Sequence, residues 1–149
     1  MLITGGQSGS YPLSSAEIYE PASGRFFATQ PMSYPRAAHT ATALADGTVL
    51  VAGGATRFAE NPTGCGPFYF FWETGSVERF NPATRQFTVV SADFMPVPRS
   101  GHTATRLATG DVLVTGGTTL VRKLCGIIAR YHYVFGEFPT PTATAELIH

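Results

Sequence analysis

The stretch PRAAHTATALADGTVLVAGG, residues 35–54, occurs a second time in this chain as PRSGHTATRLATGDVLVTGG, residues 98–117. The two copies align without gaps, are identical at 14 of 20 positions and lie 63 residues apart. The end of the same stretch stands at the start of the chain as MLITGG, residues 1–6. Internal similarity of this kind is the sequence signature of a repeat protein. The sequence therefore predicts one structural unit that is present in three copies.

A second segment is shared by the three copies and follows each double glycine. It reads SAEIYEPASGRF at residues 15–26, SVERFNPATRQF at residues 76–87 and ATAELIH at residues 143–149. Runs rich in Thr, Val and aromatic residues favour β-strands, and the pairs that end in Gly47 and Gly110 favour tight hairpin turns. A full repeat therefore predicts four antiparallel strands, which is the blade of a β-propeller.

Three recurring motifs identify the type of repeat. A double glycine closes each second strand, an aromatic-x-Pro motif lies in the third strand, and Phe starts the fourth. With these motifs the chain resembles the kelch family, in particular bacterial kelch repeats of the galactose-oxidase type, although kelch repeats usually carry Trp where Phe26 and Phe87 stand. The resemblance implies an all-β fold, a fragment of a kelch-type β-propeller with four-stranded antiparallel blades. The double glycines that close the second strands are Gly5, Gly6, Gly53, Gly54, Gly116 and Gly117.

The positions of the motifs divide the chain into one complete and two incomplete blades. Residues 1–30 supply strands two to four of a first blade, residues 35–90 a complete blade, and residues 98–149 strands one to three of a third. Propellers use about four to eight blades of four strands, so ten strands do not close a ring. We expect the remaining blades in a longer parent chain or in another chain.

Composition excludes several classes of protein. The 149 residues carry 10 Lys+Arg and 10 Asp+Glu, and 44% are hydrophobic, which argues against a disordered chain and against binding to nucleic acid. The longest apolar runs are far shorter than the roughly 20 residues of a membrane span. No basic stretch follows Met1, so neither a membrane span nor a signal peptide is expected in this chain.

Charged residues recur at fixed places in the repeat and predict ion pairs. Arg36 and Arg99 open the first strands, whereas Glu17, Glu78 and Glu146 open the third strands. In a sheet whose strands alternate in direction, these ends lie on the same edge. The sequence therefore predicts pairing between arginine and glutamate within a blade, as a structural motif.

The loop between the second and third strands varies in length and is the predicted binding region. From the double glycine to the recurring Glu the intervals are 11, 24 and 29 residues, and long loops on a rigid scaffold are the usual place for function. Concentrated aromatic residues suit stacking on sugar rings or anchoring of a protein partner. Alternatively, each loop is an extra hairpin whose rings pack on one another. The candidate binding residues are Phe68, Tyr69, Phe70, Trp72, Arg130, Tyr131, His132 and Tyr133.

Cysteine and histidine residues allow further hypotheses. Cys65 and Cys125 lie early in the two long loops, and we predict a disulfide between them, with free buried thiols as the alternative. A disulfide would indicate an oxidising compartment, and hence a secreted or extracytoplasmic protein. His39 and His102 stand at equivalent positions of first strands, where a structural hydrogen bond inside each blade is favoured over a metal site. No metal and no cofactor are expected.

The predicted function is that of a binding or interaction scaffold and not of an enzyme. Its ligand is a protein or a glycan, bound on the face that carries the loops between strands two and three. One alternative is a fragment of a galactose-oxidase-like copper radical oxidase. The resemblance implies Tyr and His ligands to copper, including an adjacent Tyr-His pair, and Tyr131-His132 matches that pair only as a dipeptide. Another alternative is a purely structural segment of a larger secreted protein. No catalytic residue is assigned.

Overall fold

The computed structural model describes the backbone of residues 1–60, 69–90, 94–128 and 132–149. Side chains are described in these ranges apart from residues 58–60, 69–71, 120–128 and 132–139. Within these ranges all regular structure is β-strand. In chain order the strands are β1 (Leu2–Thr4), β2 (Gln7–Ser8), β3 (Tyr11–Pro12), β4 (Ala16–Glu20), β5 (Arg25–Ala28), β6 (Thr40–Ala43), β7 (Val49–Ala52), β8 (Ala55–Glu60), β9 (Tyr69–Glu73), β10 (Val77–Asn81), β11 (Gln86–Val89), β12 (Thr103–Arg106), β13 (Val112–Thr115), β14 (Thr118–Ile128), β15 (His132–Pro141) and β16 (Ala145–Ile148).

Three antiparallel sheets follow one another along the chain. The N-terminal sheet has the order β1-β4-β5, the middle sheet β6-β7-β10-β11 and the C-terminal sheet β12-β13-β16. One four-stranded sheet thus lies between two three-stranded sheets. This arrangement confirms the predicted fold class, an all-β fragment built from small antiparallel sheets. No helix that could span a membrane is found in the described part of the chain.

Apolar side chains pack between the middle and C-terminal sheets. Leu50, Ala52 and Val77 of the middle sheet form one buried cluster with residues of the C-terminal sheet and with Met95 from the connection between them. Successive residues of a strand point to opposite faces, so Val51 and Phe80 lie on the other face of the middle sheet, where they are also buried. The middle sheet is therefore covered on both faces. The C-terminal members of the cluster are Val112, Val114 and Ile148.

The predicted turns at the ends of the first strands are present. Gly47 and Gly110 both adopt positive φ, 83° and 103°, which a side chain disfavours and glycine tolerates. In the first of these turns Asp46 Oδ1 accepts hydrogen bonds from the backbone N–H and the hydroxyl of Thr48, at 3.0 and 2.6 Å. These hydrogen bonds lower the pKa of the Asp46 carboxyl below its ordinary value.

Each loop between a second and a third strand forms a hairpin of its own. The pairs are β2 with β3, β8 with β9, and β14 with β15. Strand β3 lies next to β8, and β9 lies next to β14 and β15, so the three hairpins are neighbours. The backbone thus agrees with the extra-hairpin alternative for the two long loops. The short hairpin β2-β3 was not predicted, because residues 7–12 contain no clear strand alternation.

Candidate functional site

Arg36 connects the strands of the middle sheet at the double-glycine end. Its Nη2 atom lies 2.6 Å from Glu78 Oε1 and donates to Ser76 Oγ at 3.0 Å, while Nη1 donates to the carbonyls of Gly53 and Ser76 at 2.8 and 3.1 Å. Both side chains of the ion pair are fully buried. Burial lowers the pKa of the Arg36 guanidinium, and the hydrogen bond and charge of Glu78 act in the opposite direction.

Arg99 makes the same set of contacts in the C-terminal sheet. It lies 2.6 Å from Glu146 and donates to the carbonyls of Gly116 and Thr144 and to the Thr144 hydroxyl, at 2.9, 3.0 and 2.6 Å. The structure therefore brings two of the predicted arginine and glutamate pairs together. Because these guanidinium groups are buried and their hydrogen bonds stay within one repeat, including one from Arg99 Nε to the Val97 carbonyl at 3.3 Å, they hold the strands of a repeat together and are not positioned to contact a ligand.

One substitution between the two copies changes the hydrogen bonding of the glutamate. In the middle sheet Glu78 Oε2 accepts a hydrogen bond from the Ser33 N–H at 2.7 Å. The equivalent residue in the next repeat is Pro96, which has no N–H to donate. Glu146 Oε2 is accordingly buried without a hydrogen-bond partner among the described residues. The sequence difference thus explains the polar atom left unpaired in the C-terminal sheet.

The double glycines make room for the backbone of the following repeat. The second glycine donates its N–H to the carbonyl of the next repeat's arginine, from Gly6 to Arg36 at 2.9 Å and from Gly54 to Arg99 at 2.8 Å. The first glycine in each case adopts positive φ and lies against the same carbonyl. Successive repeats are therefore joined by a backbone contact that depends on the absence of side chains.

The two equivalent histidines connect neighbouring sheets. His39 Nε2 lies 2.8 Å from Thr4 Oγ1, and His102 Nε2 lies 2.9 Å from Thr40 Oγ1. In both cases the threonine belongs to the preceding repeat. The prediction of a hydrogen bond inside each blade was therefore wrong about the partner, because the first strand of one sheet lies against the edge of the sheet before it. No group of three or more His, Cys, Asp or Glu side chains suited to a metal ion is found among the described residues.

The burial of His39 predicts a pH-dependent stability. Burial, and then the nearby charges of Arg36 and His102, lower its pKa from the ordinary value near 6.5 to about 4. Between these pH values the unfolded chain binds a proton that the folded chain does not. The contribution of His39 to the free energy of unfolding is therefore expected to fall by about 3 kcal/mol as the pH decreases from 6.5 to 4. Urea denaturation measures the total change, to which His102 adds in the same direction because burial lowers its pKa as well.

Two variants separate this effect from other titrations. His39→Gln keeps a polar atom near Thr4 and removes the proton uptake, so its stability is expected to vary less over this pH range. The control is His149→Gln, because His149 is exposed. A pH dependence that is the same in His39→Gln and in the parent chain would contradict the prediction.

The hairpin β8-β9 carries an exposed aromatic residue beside a cation. Arg57 and Trp72 are direct cross-strand partners, so their side chains leave the hairpin on the same face. The Arg57 guanidinium carbon lies 5.0 Å from the centroid of the Trp72 ring, which is a cation-π geometry. Trp72 remains 38% exposed. Thr56 Oγ1 donates to the Trp72 carbonyl at 2.9 Å and fixes this part of the strand.

A row of polar side chains continues from this hairpin to the next one. Ser100 donates its hydroxyl to Glu73 Oε1 at 3.4 Å and lies 3.3 Å from the Thr118 hydroxyl. Ser100 also forms an isolated antiparallel bridge with Thr118, at the start of β14. A carboxylate and two hydroxyl groups therefore lie where the two long hairpins meet. Glu73 and Trp72 are successive residues of β9, so their side chains leave the strand on opposite faces. We therefore call Arg57 and Trp72 alone the hairpin site.

The structure describes only some of the residues that the sequence singled out for binding. Trp72 is described in full, whereas Phe68, Arg130, Tyr131 and Cys65 lie outside the described residues. The predicted disulfide and most of the aromatic cluster therefore stay predictions. Sequence reasoning missed Arg57, because the alternation of residues 55–60 was not read as a strand that faces the aromatic segment. For the remaining candidates only the backbone is described: Tyr69 and Phe70 on β9, Cys125 on β14, and His132 and Tyr133 on β15.

Comparison with known proteins supports the fold. The sheets described above are those of an all-β protein, and the similarity to a solved structure is consistent with a galactose-oxidase-like β fold. Among solved structures it is similar to a fungal alcohol oxidase of the AA5 family in complex with copper, with a TM-score of 0.60 and 25% sequence identity. The match covers 94% of this chain and 28% of that structure. No protein-family model matches the sequence, and no curated protein sequence matches it either.

Proposed function

We propose that the chain is part of a kelch-type β-propeller that binds carbohydrate at the hairpin site. The observation that carries this proposal is the pair of Arg57 and Trp72, in which the guanidinium lies over the ring and Trp72 is 38% exposed. Sugar rings present apolar C–H faces and hydroxyl groups on the same molecule. An exposed aromatic residue beside a guanidinium donor matches both of these features.

The Arg57 guanidinium of the hairpin site suits the hydroxyls of a sugar. The guanidinium donates hydrogen bonds through a planar fork, and the Trp72 ring offers an apolar face to the C–H groups of the sugar. Arg57 and Trp72 stand on strands whose register is fixed by backbone pairing, so little conformational entropy of the backbone is lost when a ligand binds. A scaffold that recognises a protein through the same aromatic and arginine side chains is the other outcome that the experiments distinguish.

Replacement of Trp72 by Ala tests the proposal. We expect glycan-array signals, and affinities measured by calorimetry for the sugars identified there, to fall at least about tenfold, which corresponds to about 1.4 kcal/mol. The matched control is Phe26→Ala, since Phe26 is an exposed aromatic residue of the N-terminal sheet, 57% accessible. Equal affinity of the Trp72→Ala variant and the parent chain would contradict the proposal. Saturable binding to a protein, with blank glycan arrays, would favour the protein-binding alternative.

A second candidate function, as part of an alcohol oxidase, is favoured by the similarity to a copper-containing oxidase structure. The described residues do not fit a copper site: they contain no cluster of metal-ligating side chains, and the Nε2 atoms of His39 and His102 already face threonine hydroxyls. We therefore derive no catalytic step. Copper analysis and hydrogen peroxide release with primary alcohols test this candidate, and stoichiometric copper with turnover would favour it over the binding scaffold.

A further inference from the structure

A cavity lies between the middle and C-terminal sheets, at the end of the sheets that carries the turns between first and second strands. Strand β7 begins at this turn end and finishes at Gly53, so the cavity and the hairpins lie at opposite ends of the sheet. The cavity has a volume of about 210 Å³. Sites for drug-sized ligands have about 300–1,000 Å³, so this cavity suits a smaller molecule, of the size of a single amino acid.

The floor of the cavity is apolar and lies where two cross-strand pairs face each other. Leu50 on β7 is the direct partner of Arg79 on β10, and Val112 on β13 is the direct partner of Ile148 on β16. Direct partners leave a sheet on the same face, so the Arg79 side chain starts beside Leu50. Leu50, Val112 and Ile148 are buried in the cluster that joins the two sheets, and Leu44 packs against them. The floor is therefore a rigid part of the core.

Two opposite charges stand at the mouth of the cavity. Asp46 Oδ2 lies 3.6 Å from Arg79 Nη1, which is an ion-pair distance longer than an ordinary hydrogen bond. In the part of the chain that the structure describes, no hydrogen bond is found to this oxygen or to the Arg79 guanidinium. Both side chains reach solvent, and the Thr48 hydrogen bonds to Asp46 Oδ1 fix the carboxylate. A forked donor and an acceptor oxygen are thus available to a ligand. His149, at the same rim, is 3.1 Å from Asp111 Oδ1 and already has a partner.

The preceding repeat shows that this arrangement is not a necessary part of the fold. Between the N-terminal and middle sheets, the position of Arg79 is taken by Ile18 and the position of Ile148 by Phe80. Phe80 is buried on the face of the middle sheet opposite to Arg79. An aromatic ring in place of Ile148 occupies more space, and an aliphatic side chain in place of Arg79 brings no charge. The charged cavity therefore comes from residues particular to these two sheets.

We propose that this cavity binds a free α-amino acid with an apolar side chain. The ligand carboxylate pairs with the Arg79 guanidinium, the ligand ammonium group pairs with Asp46 Oδ2, and the ligand side chain lies on the floor beside Leu50. An α-amino acid carries both charges on one carbon atom next to its side chain, which matches neighbouring charges above an apolar floor. A simple carboxylate would be repelled by Asp46, and a simple amine would be repelled by Arg79.

Calorimetric titration of the chain with L-leucine tests the proposal. We expect saturable binding that is weakened at least about tenfold by Arg79→Gln and by Asp46→Asn, because each variant removes one of the two charges. Asp46→Asn keeps an oxygen for the hydrogen bonds from Thr48, so the turn is retained. The matched control is Arg25→Gln, because Arg25 is an exposed arginine of the N-terminal sheet. This control is expected to bind leucine as the parent chain does.

A series of related compounds tests each group of the ligand. N-acetyl-L-leucine lacks the ammonium group, L-leucinamide lacks the carboxylate and glycine lacks the apolar side chain, so each is expected to bind at least about tenfold more weakly than leucine. Trp72→Ala is expected to leave leucine binding unchanged, because the hairpin site lies at the other end of the sheets. No leucine binding at millimolar concentration, equal binding by Arg79→Gln and the parent chain, or equal affinity for leucine and N-acetyl-L-leucine would overturn the proposal.

Discussion

Arg36→Ala is expected to lower the free energy of unfolding by about 3–5 kcal/mol, the range for breaking a buried ion pair. The substitution leaves the Glu78 carboxylate fully buried without its cation, and it removes donors from the carbonyls of Gly53 and Ser76. Urea denaturation at neutral pH measures the change. Arg36→Lys is expected to recover only part of the loss, because an ammonium group cannot reproduce the planar fork.

A second ion pair of the chain provides the control for Arg36. Arg79 lies 3.6 Å from Asp46, and both side chains are exposed to solvent, 36% and 54%. Exposed pairs contribute little, so Arg79→Ala is expected to leave the stability almost unchanged. The double variant Arg36→Met with Glu78→Leu is expected to be more stable than Arg36→Ala alone, because it leaves no unpaired charge in the interior. Equal losses for Arg36→Ala and Arg79→Ala would show that burial does not govern the energetics of this motif.

Gly53→Ala is the other substitution with a large expected effect, a loss of about 3 kcal/mol or more in the free energy of unfolding. Gly53 has φ of 62°, which is unfavourable for any residue with a side chain. A Cβ atom there would also lie 2.7 Å from the Arg99 carbonyl oxygen and 2.8 Å from Met95 Cε. The first of these neighbours is backbone, so the connection between two repeats would have to move.

Gly116 offers a matched control in the third copy of the same motif. Its φ of 70° is close to that of Gly53, but a Cβ atom would meet nothing within 4 Å among the described residues. Gly116→Ala is therefore expected to cost only the backbone strain, about 1–2 kcal/mol. The difference between the two variants, measured by denaturation under the same conditions, isolates the contact with the next repeat. Equal losses would mean that backbone conformation alone explains the double glycine.

Most of the sheet architecture could be predicted from the sequence, because strands and turns are specified by local patterns. The alternation in HTATAL, the buried run Val49–Ala52 and the glycine turns each specify their own element, and repetition reinforces the assignment. The pairing of Arg36 with Glu78 could be predicted because strands that alternate in direction bring the starts of the first and third strands to the same edge. The hairpin site could not be predicted, because Arg57 and Trp72 meet only through the register of two strands separated by a loop.

Residues at equivalent repeat positions show which properties the sequence does not determine. Glu17 and Glu78 occupy the same place in the repeat, and the sequence gives no reason to treat them differently. In the folded chain one is exposed and the other is fully buried on an arginine. Likewise His39 and His102 find their threonines in the preceding sheet and not in their own.

The sequence by itself determined the repeat, its four strand types and the residues that close each turn. Tertiary structure decided which faces are covered, which carboxylates are paired and which side chains of the hairpins reach solvent. The physical reason is that backbone hydrogen bonding and strand alternation act over a few neighbouring residues, whereas burial depends on the next sheet. A residue such as Ile3 or Glu17 therefore carries the same local signal as its buried counterpart, and only the neighbouring sheet distinguishes them.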